Sequence, residues 1–248
     1  MKLAFISDIH EDVVSLGMAI DKIHKLGADK IICLGDISGY NPKYYDYIHT
    51  RNASECLHII RQNCDIIVPG NHDYNAIKKI PECSPGFNYP ADWYELDHYE
   101  KRSIACDRLW DYDDAELQPK YRKADVAFLS QLNQFEILET ENYNILLSHY
   151  AYPNLSGLVV DFYLYPDDFK KHFSFMAENN CKVSVLGHEH IPGMSCVMKD
   201  KMIIKRLGKK QGCKVPFLLM IPSVANGRNK NGFLILDTLT NKAISYRI

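Results

Sequence analysis

The sequence predicts an α/β fold: parallel strands alternating with helices, a second sheet closing on the first, and one helical insertion. Three features carry this expectation. Short branched apolar runs at 3–6, 31–34 and 66–68 alternate with stretches of helical spacing, and the alternation resumes at 145–147 and 183–186. Between them, residues 81–142 hold many aromatics and some helical spacing but no buried strand. From Met194 onward, short alternating or apolar runs at 202–205, 217–221 and 233–236 read as antiparallel strands closing a second sheet.

Residues 3–6 are too few for a helix and end at Ser7-Asp8, so they read as a buried strand. Val13, Leu16, Ile20 and Ile23 then recur at helical spacing, and Gly27 stands where such a helix stops. Ile31, Ile32 and Leu34 form the next strand, which ends at Gly35-Asp36; strand, helix, strand makes a parallel crossover. Cys56, Leu57 and Ile60 mark a second helix, and the following strand runs into Pro69-Gly70 and the polar cluster Asn71, His72 and Asp73. In the insertion, Trp93, Leu96 and Tyr99, and later Val126, Leu129 and Leu132, give helical spacing. Most of its aromatics are expected to seal a small satellite core. The strand at 145–147 ends at Ser148-His149, a helix is expected near 167–178, and the strand at 183–186 leads into Gly187-His188-Glu189-His190.

A chain of 248 residues can bury a large core as one domain, 1–248, with the insertion at about 81–142. Lys and Arg total 29 against 31 Asp and Glu, so no global polyanion-binding surface is expected and long nucleic acid is not a predicted partner. The eight cysteines, at 33, 56, 64, 83, 106, 181, 196 and 213, include no C-x-x-C pair, and several lie in apolar runs. That suits reduced thiols in a cytoplasmic protein. No run approaches the roughly 18 apolar residues that span a bilayer, so no membrane partner is expected.

In a mostly parallel sheet the carboxyl ends of the strands point one way, so groups distant in sequence converge there on one crevice. The converging set is Asp8, His10, Asp36, Asn71, His72, His149, His188 and His190. Each piece alone is ordinary, since Asp and His often hydrogen-bond locally at turns. Together they make a mixed nitrogen and oxygen shell suited to Mn, Fe, Co or Zn. One ion would not use so many ligands. A carboxylate such as Asp36 can bridge two ions about 3.5–4 Å apart, so the site reads as dinuclear. His24, His49, His58, His98 and His172 fall outside the pattern and are expected on helix surfaces or loops.

In this combination the residues resemble the calcineurin-like metallophosphoesterases. The family's motifs stand here in order as Asp8-x-His10, Gly35-Asp36, Gly70-Asn71-His72-Asp73, His149 and Gly187-His188-x-His190, nearly the whole chain long. The loop from Gly35 through Asn41-Pro42 and the turn ending in Arg228 are similar to the bacterial phosphodiesterase-like branch. Neither the Asp-Arg-Gly after the Gly-Asp loop nor the Asn-His-Glu of the protein phosphatases is present. The resemblance implies a four-layer α/β-β/α sandwich of two mixed sheets flanked by helices. It implies that Asp8, His10, Asp36 and His190 hold one ion, that Asp36, Asn71, His149 and His188 hold the other, and that a metal-activated water is the nucleophile. His72 is then left for proton transfer with Asp73 fixing its orientation, and Arg228 for a phosphate oxygen.

The expected function is metal-dependent hydrolysis of a small phosphoester, a phosphodiester before a monoester; the alternatives are a non-catalytic metal-bearing scaffold and a nuclease. Ten acidic against three basic residues between Glu82 and Glu116 argue against a nuclease. Because the insertion starts close to His72 and ends just before the strand leading to His149, it is expected to act as a partial lid.

Overall fold

The structure, a computed structural model, describes residues 1–82, 84–110, 112 and 116–248. In chain order its elements are β1 (Lys2–Ile6), α1 (Val13–Leu26), β2 (Lys30–Cys33), α2 (Ala53–Asn63), β3 (Ile66–Ile67), α3 (Asn71–Ala76), α4 (His98–Ala105), α5 (Lys123–Ser130), β4 (Phe135–Glu139) and β5 (Asn144–Ser148). A 3₁₀ turn (Pro166–Phe169) leads into α6 (Lys170–Glu178), β6 (Cys181–Leu186), β7 (Gly193–Met198), β8 (Lys201–Arg206), β9 (Lys210–Gly212), β10 (Phe217–Met220), β11 (Gly232–Asp237) and β12 (Lys242–Arg247).

The strands form two six-stranded mixed sheets, ordered β3-β2-β1-β11-β12-β9 and β4-β5-β6-β10-β7-β8. In the first, β1, β2 and β3 run parallel and β11 lies antiparallel to β1; in the second, β5, β6 and β10 run parallel. Side-chain alternation builds the layers. Leu3 and Phe5 of β1 face the second sheet and pack with Ile145, Leu147, Val183, Val185 and Phe217, while Ala4 and Ile6 face Leu16, Ile20 and Ile23 of α1 and Leu57 and Ile60 of α2. On the far side, Leu146, Leu186 and Leu218 turn outward towards Phe169, Phe173 and Met176. The result is the expected four layers: helices, sheet, sheet, helix.

Local signals set several element ends. Asp12 caps α1 by accepting from Ser15 N at 2.9 Å, and Gly27 closes it in the left-handed conformation. Three expectations need correcting. The run at 233–236 joins the first sheet as β11, because its Cα partners are those of β1 rather than a strand of the C-terminal sheet. The segment 81–142 contains a strand, β4, which pairs antiparallel with β5 at a sheet edge; its two glutamates, half-buried Phe135 and exposed Ile137 hide the period that a central strand shows. In the same segment the helix begins at His98, capped by Asp97, so Trp93 and Leu96 sit in turns before it, and α5 packs Leu129 onto α1 and α2.

Seven of the eight cysteines are free and Cys83 lies outside the described residues; five of the seven, 33, 56, 181, 196 and 213, are buried in the apolar layers. Among the described residues, no helix is long and apolar enough to cross a membrane.

Candidate active site

The loops that leave β1, β2, β3, β5 and β6 meet at one edge of the sandwich, and their backbones are tied together there. Asp8 N donates to Gly35 O (3.0 Å), Ile9 N and His10 N to Asp36 O (2.7 and 2.9 Å), Gly187 N to His149 O (2.9 Å) and Ala225 N to Asp8 O (3.0 Å). This lacing holds six polar residues in left-handed backbone: Asp8 (φ 55°), His10 (47°), Glu11 (69°), Asp36 (53°), His188 (67°) and His190 (45°). Each such residue costs about 1–2 kcal/mol relative to ordinary backbone. Concentrated at one point, that cost marks the strand ends as a place where side-chain direction matters more than local stability. The approach is close enough that a Cβ at Gly70 would collide with the Asp36 carboxylate, and one at Gly187 with the Ser7 hydroxyl.

Two groups of donor atoms result. In one, His10 Nε2 lies 3.1 Å from His190 Nε2, and His190 Nε2 lies 3.3 Å from Asp8 Oδ1. In the other, Asn71 Oδ1 lies 3.1 Å from His149 Nε2 and 3.0 Å from His188 Nδ1, and Asp36 Oδ2 lies 3.1 Å from His149 Nε2. Neighbouring donors on one ion with bonds of about 2.1 Å lie about 3.0 Å apart in octahedral and about 3.4 Å apart in tetrahedral geometry. The donors are thus spaced as the edges of coordination polyhedra. Each of Asp8-His10-His190, His10-Asp36-His72 and Asp36-His149-His188 could hold a metal ion, and Asp36 belongs to two of the three.

The rings are turned for this task. His149 Nδ1 donates to Leu34 O at 2.6 Å and His10 Nδ1 to Gly39 O at 3.2 Å, which leaves each Nε2 facing its neighbouring donors. Burial, with the neighbouring imidazoles of His72 and His149 respectively, pushes His10 and His188 down to about 3, so both stay neutral with a lone pair to offer. Burial disfavours the Asp8 carboxylate, but His190 outweighs it and holds the group at about 2. Burial likewise opposes a charge on His149, yet the Asp36 carboxylate raises it to about 9. A cation entering between them would displace that proton.

Residues 1–192 match the family model for calcineurin-like phosphoesterases. The chain belongs to that family. An uncharacterized protein of Methanocaldococcus jannaschii is 28% identical over 191 residues, a region that makes up 77% of this chain and 63% of that protein. The structure is similar to a metallophosphoesterase from Sphaerobacter thermophilus (TM-score 0.67, 17% identity, covering 100% of this chain and 88% of the other). It is similar also to a hypothetical protein from Pyrococcus horikoshii (TM-score 0.60, 16% identity, covering 100% and 87%). At these identities the two structures speak for the shared fold.

Around the family's strand-end residues lies a cavity of about 430 Å³. Its walls include His10, Asp36, Asn71, His72, His188 and His190, and also Tyr44, Tyr45, Trp110, Tyr112, Glu116 and Phe162, which carry no sequence motif. Trp110, Tyr112 and Glu116 come from the insertion. Its other aromatics, Phe87 and Trp93, bury themselves with Ala105 and Leu109 in the expected satellite core. Tyr45 stacks on His10 with ring centroids 5.2 Å apart, and Trp110 stands edge-on to His188 at 6.1 Å.

Asp73 is not brought to His72. Its carboxylate accepts from Ile37 N, Ser38 N, Ser38 Oγ and Gly70 N at 2.8–3.0 Å, and so fastens the loop after β2 to the start of α3. The partner of His72 is Glu116, whose Oε1 lies 2.5 Å from Nδ1, at an angle short of a well-aligned hydrogen bond. Burial opposes protonation of His72, but Glu116 and Asp36 outweigh it and push the ring up to about 10. Arg228 lies at the cavity rim, exposed, with its guanidinium 5.1 Å from the Tyr44 ring centroid. His172, expected at a surface or in a loop, is fully buried in α6.

Proposed function

We propose that the chain is a dinuclear metal-dependent phosphoesterase whose substrate is a small phosphodiester. The observation that carries this reading is that Asp36 lies within ligand distance of His10 on one side and of His149 and His188 on the other, so that one carboxylate reaches both donor groups. Asp8, His10, Asp36 and His190 would hold one divalent ion, and Asp36, Asn71, His149 and His188 the other; the mixed donors suit Mn, Fe, Co or Zn. When bound, such a pair supplies Lewis acidity towards the phosphoryl oxygens and a water acidic enough to act as nucleophile near neutral pH.

The remaining work falls to the chain's own side chains. His72 belongs to neither of those ligand sets and carries its own carboxylate partner, so its role is to give a proton to the leaving oxygen. Arg228 pairs with a phosphate oxygen at the rim. Asp73 contributes by fixing the loop between Asp36 and His72 rather than by touching substrate.

Charge and size favour the diester. Glu116 and Glu189 face the cavity, and Arg228 is its single arginine among the described lining residues. A monoester dianion meets more repulsion there than a diester monoanion. A volume of about 430 Å³ falls within the small-molecule range of about 300–1,000 Å³, and the insertion closes one side against polymers. The free, mostly buried thiols support a reducing compartment such as the cytoplasm.

The test is a panel of chromogenic mono- and diesters, nucleotides and cyclic nucleotides assayed with Mn. Diesters should be hydrolysed faster than monoesters. Two ions bound per chain with no hydrolysis anywhere on the panel would instead make the protein a metal-bearing scaffold.

A further inference from the structure

We infer that Glu116, supplied by the insertion, is the positioning residue for His72: it grips the imidazole through Nδ1 and thereby aims Nε2 at the leaving oxygen. This rests on the phosphodiesterase reading above and assigns the insertion a part in the chemistry, beyond that of a wall.

The argument begins with what surrounds the ring. His72 has one ring nitrogen on each side of the cavity floor, with Asp36 Oδ2 3.8 Å from Nε2 and Glu116 Oε1 2.5 Å from Nδ1. Asp36 is committed elsewhere, to His149 Nε2 at 3.1 Å and to His72 N at 3.0 Å. Asp73 spends its oxygens on backbone amides and the Ser38 hydroxyl. The other rings in contact, His10 and Tyr112, meet His72 edge-on with centroids 4.9 and 5.2 Å away, and neither hydrogen-bonds it. Among the described residues, Glu116 alone can orient His72 from behind.

Glu116 is itself held in place. Its N–H donates to Tyr112 O at 3.1 Å, and Leu117 N donates to Tyr40 O at 3.0 Å, which fastens the segment to the loop after β2. Arg51 clamps the next two carbonyls, of Leu117 (3.4 Å) and Gln118 (2.8 Å), while its Nε pairs with Glu11 Oε2 at 3.0 Å, next to His10. The carboxylate therefore approaches His72 from a fixed frame, with only 10% of its side chain exposed.

An anionic carboxylate at Nδ1 keeps a proton on that nitrogen, so Nε2 is the atom that exchanges one. As the P–O bond breaks, its electron pair passes to the leaving oxygen, which takes the Nε2 proton; His72 ends neutral, still protonated at Nδ1 against Glu116. The logic is that of any imidazole oriented by a carboxylate. It predicts an effect that depends on the leaving group. A nitrophenolate departs well without a proton and an alkoxide does not.

The experiment compares wild type with Glu116→Gln on diesters that share one ester group and differ in the acidity of the leaving alcohol. The expected result is a kcat loss of about a hundredfold for alkyl leaving groups, the scale of acid–base catalysis, and little change for p-nitrophenyl. KM and two bound ions per chain should be retained. Nitrogen-15 NMR of the metal-free protein, followed up in pH until the ring has given up one proton, gives a readout independent of turnover: the neutral His72 ring should keep its proton at Nδ1 in wild type and become a mixture of tautomers in Glu116→Gln. Equal losses across the series, loss of metal, or an unchanged tautomer would overturn the assignment. If wild type hydrolyses no ester on the panel, the phosphodiesterase reading fails, and the NMR comparison still decides whether Glu116 sets the ring.

Discussion

The side-chain amide of Asn71 donates from Nδ2 to the hydroxyl of Tyr112 at 3.1 Å, which leaves Oδ1 facing His149 and His188 at 3.1 and 3.0 Å. Tyr112 is thus an outer partner of a proposed metal ligand, and it decides which end of the amide is presented. Tyr112→Phe keeps the ring and removes the acceptor. We expect affinity for one of the two ions to fall about 10- to 100-fold, the usual cost of losing such a partner, with the other ion unaffected. Competition against a graded series of chelators reads both ions. Unchanged affinity for both would show that Asn71 needs no help from the insertion.

Asp36 should be the ligand whose loss matters most, because it alone is shared by both proposed ligand sets. Chelation should abolish activity, and Mn should restore it better than Mg, given that imidazoles supply four of the donors. Metal analysis of Asp36→Ala should find neither ion tightly held. Gly70→Ala offers a complementary test in which every ligand is kept, since the added Cβ would collide with the Asp36 carboxylate. Two ions retained in Asp36→Ala would refute the bridging role.

The proposed ligands were legible because each sits at a strand end. A strand that must be buried on both faces announces itself as a short apolar run, and the residue that follows it is located without any knowledge of pairing, as with Asp8 after β1 and His149 after β5. What surrounds them was not legible. Glu116 is one of ten carboxylates in an aperiodic stretch, and nothing local distinguishes it from the other nine. The resemblance implies Asp73 as the partner of His72, but the direction of Asp73 is set by amides donated from the Asp36 loop, 35 and 36 residues away, which no local pattern announces. The sheet assignment of β11 failed for the same reason, since an apolar strand does not name its neighbour. β4 was hidden because an edge strand satisfies a weaker pattern.

The aromatic wall over His188 should set substrate size. Trp110 is pinned by an Nε1–H to Gly157 O hydrogen bond of 2.9 Å and meets Phe162 edge-to-face at 5.6 Å, so it narrows the cavity as a fixed side rather than a mobile flap. Trp110→Ala should raise the rate on dinucleotides and short oligonucleotides relative to a methyl aryl diester by about tenfold, while metal content stays constant. An unchanged ratio would mean that the insertion stabilises the fold without selecting substrates.

His172 makes stability depend on pH independently of the metal site. It is fully buried, accepts from Tyr152 N at Nδ1 (2.9 Å) and donates from Nε2 to Ser184 Oγ (2.9 Å), so both nitrogens are used by the neutral ring. Burial holds its folded pKa down to about 3 from an ordinary 6.5. Between those values the unfolded chain binds a proton that the folded chain refuses, so this contribution is complete above about pH 6.5 and is lost as the pH falls towards 3. From pH 7 to pH 5 the loss is about 2 kcal/mol. Gln at this position can accept from Tyr152 and donate to Ser184 without titrating. His172→Gln is therefore expected to start less stable than wild type at pH 7 and to close that gap by about 2 kcal/mol at pH 5, as read by urea midpoints of the metal-free proteins. Taking the difference between the two proteins cancels the other titrating groups. A gap that stays constant over this range would mean that His172 takes up no extra proton on unfolding.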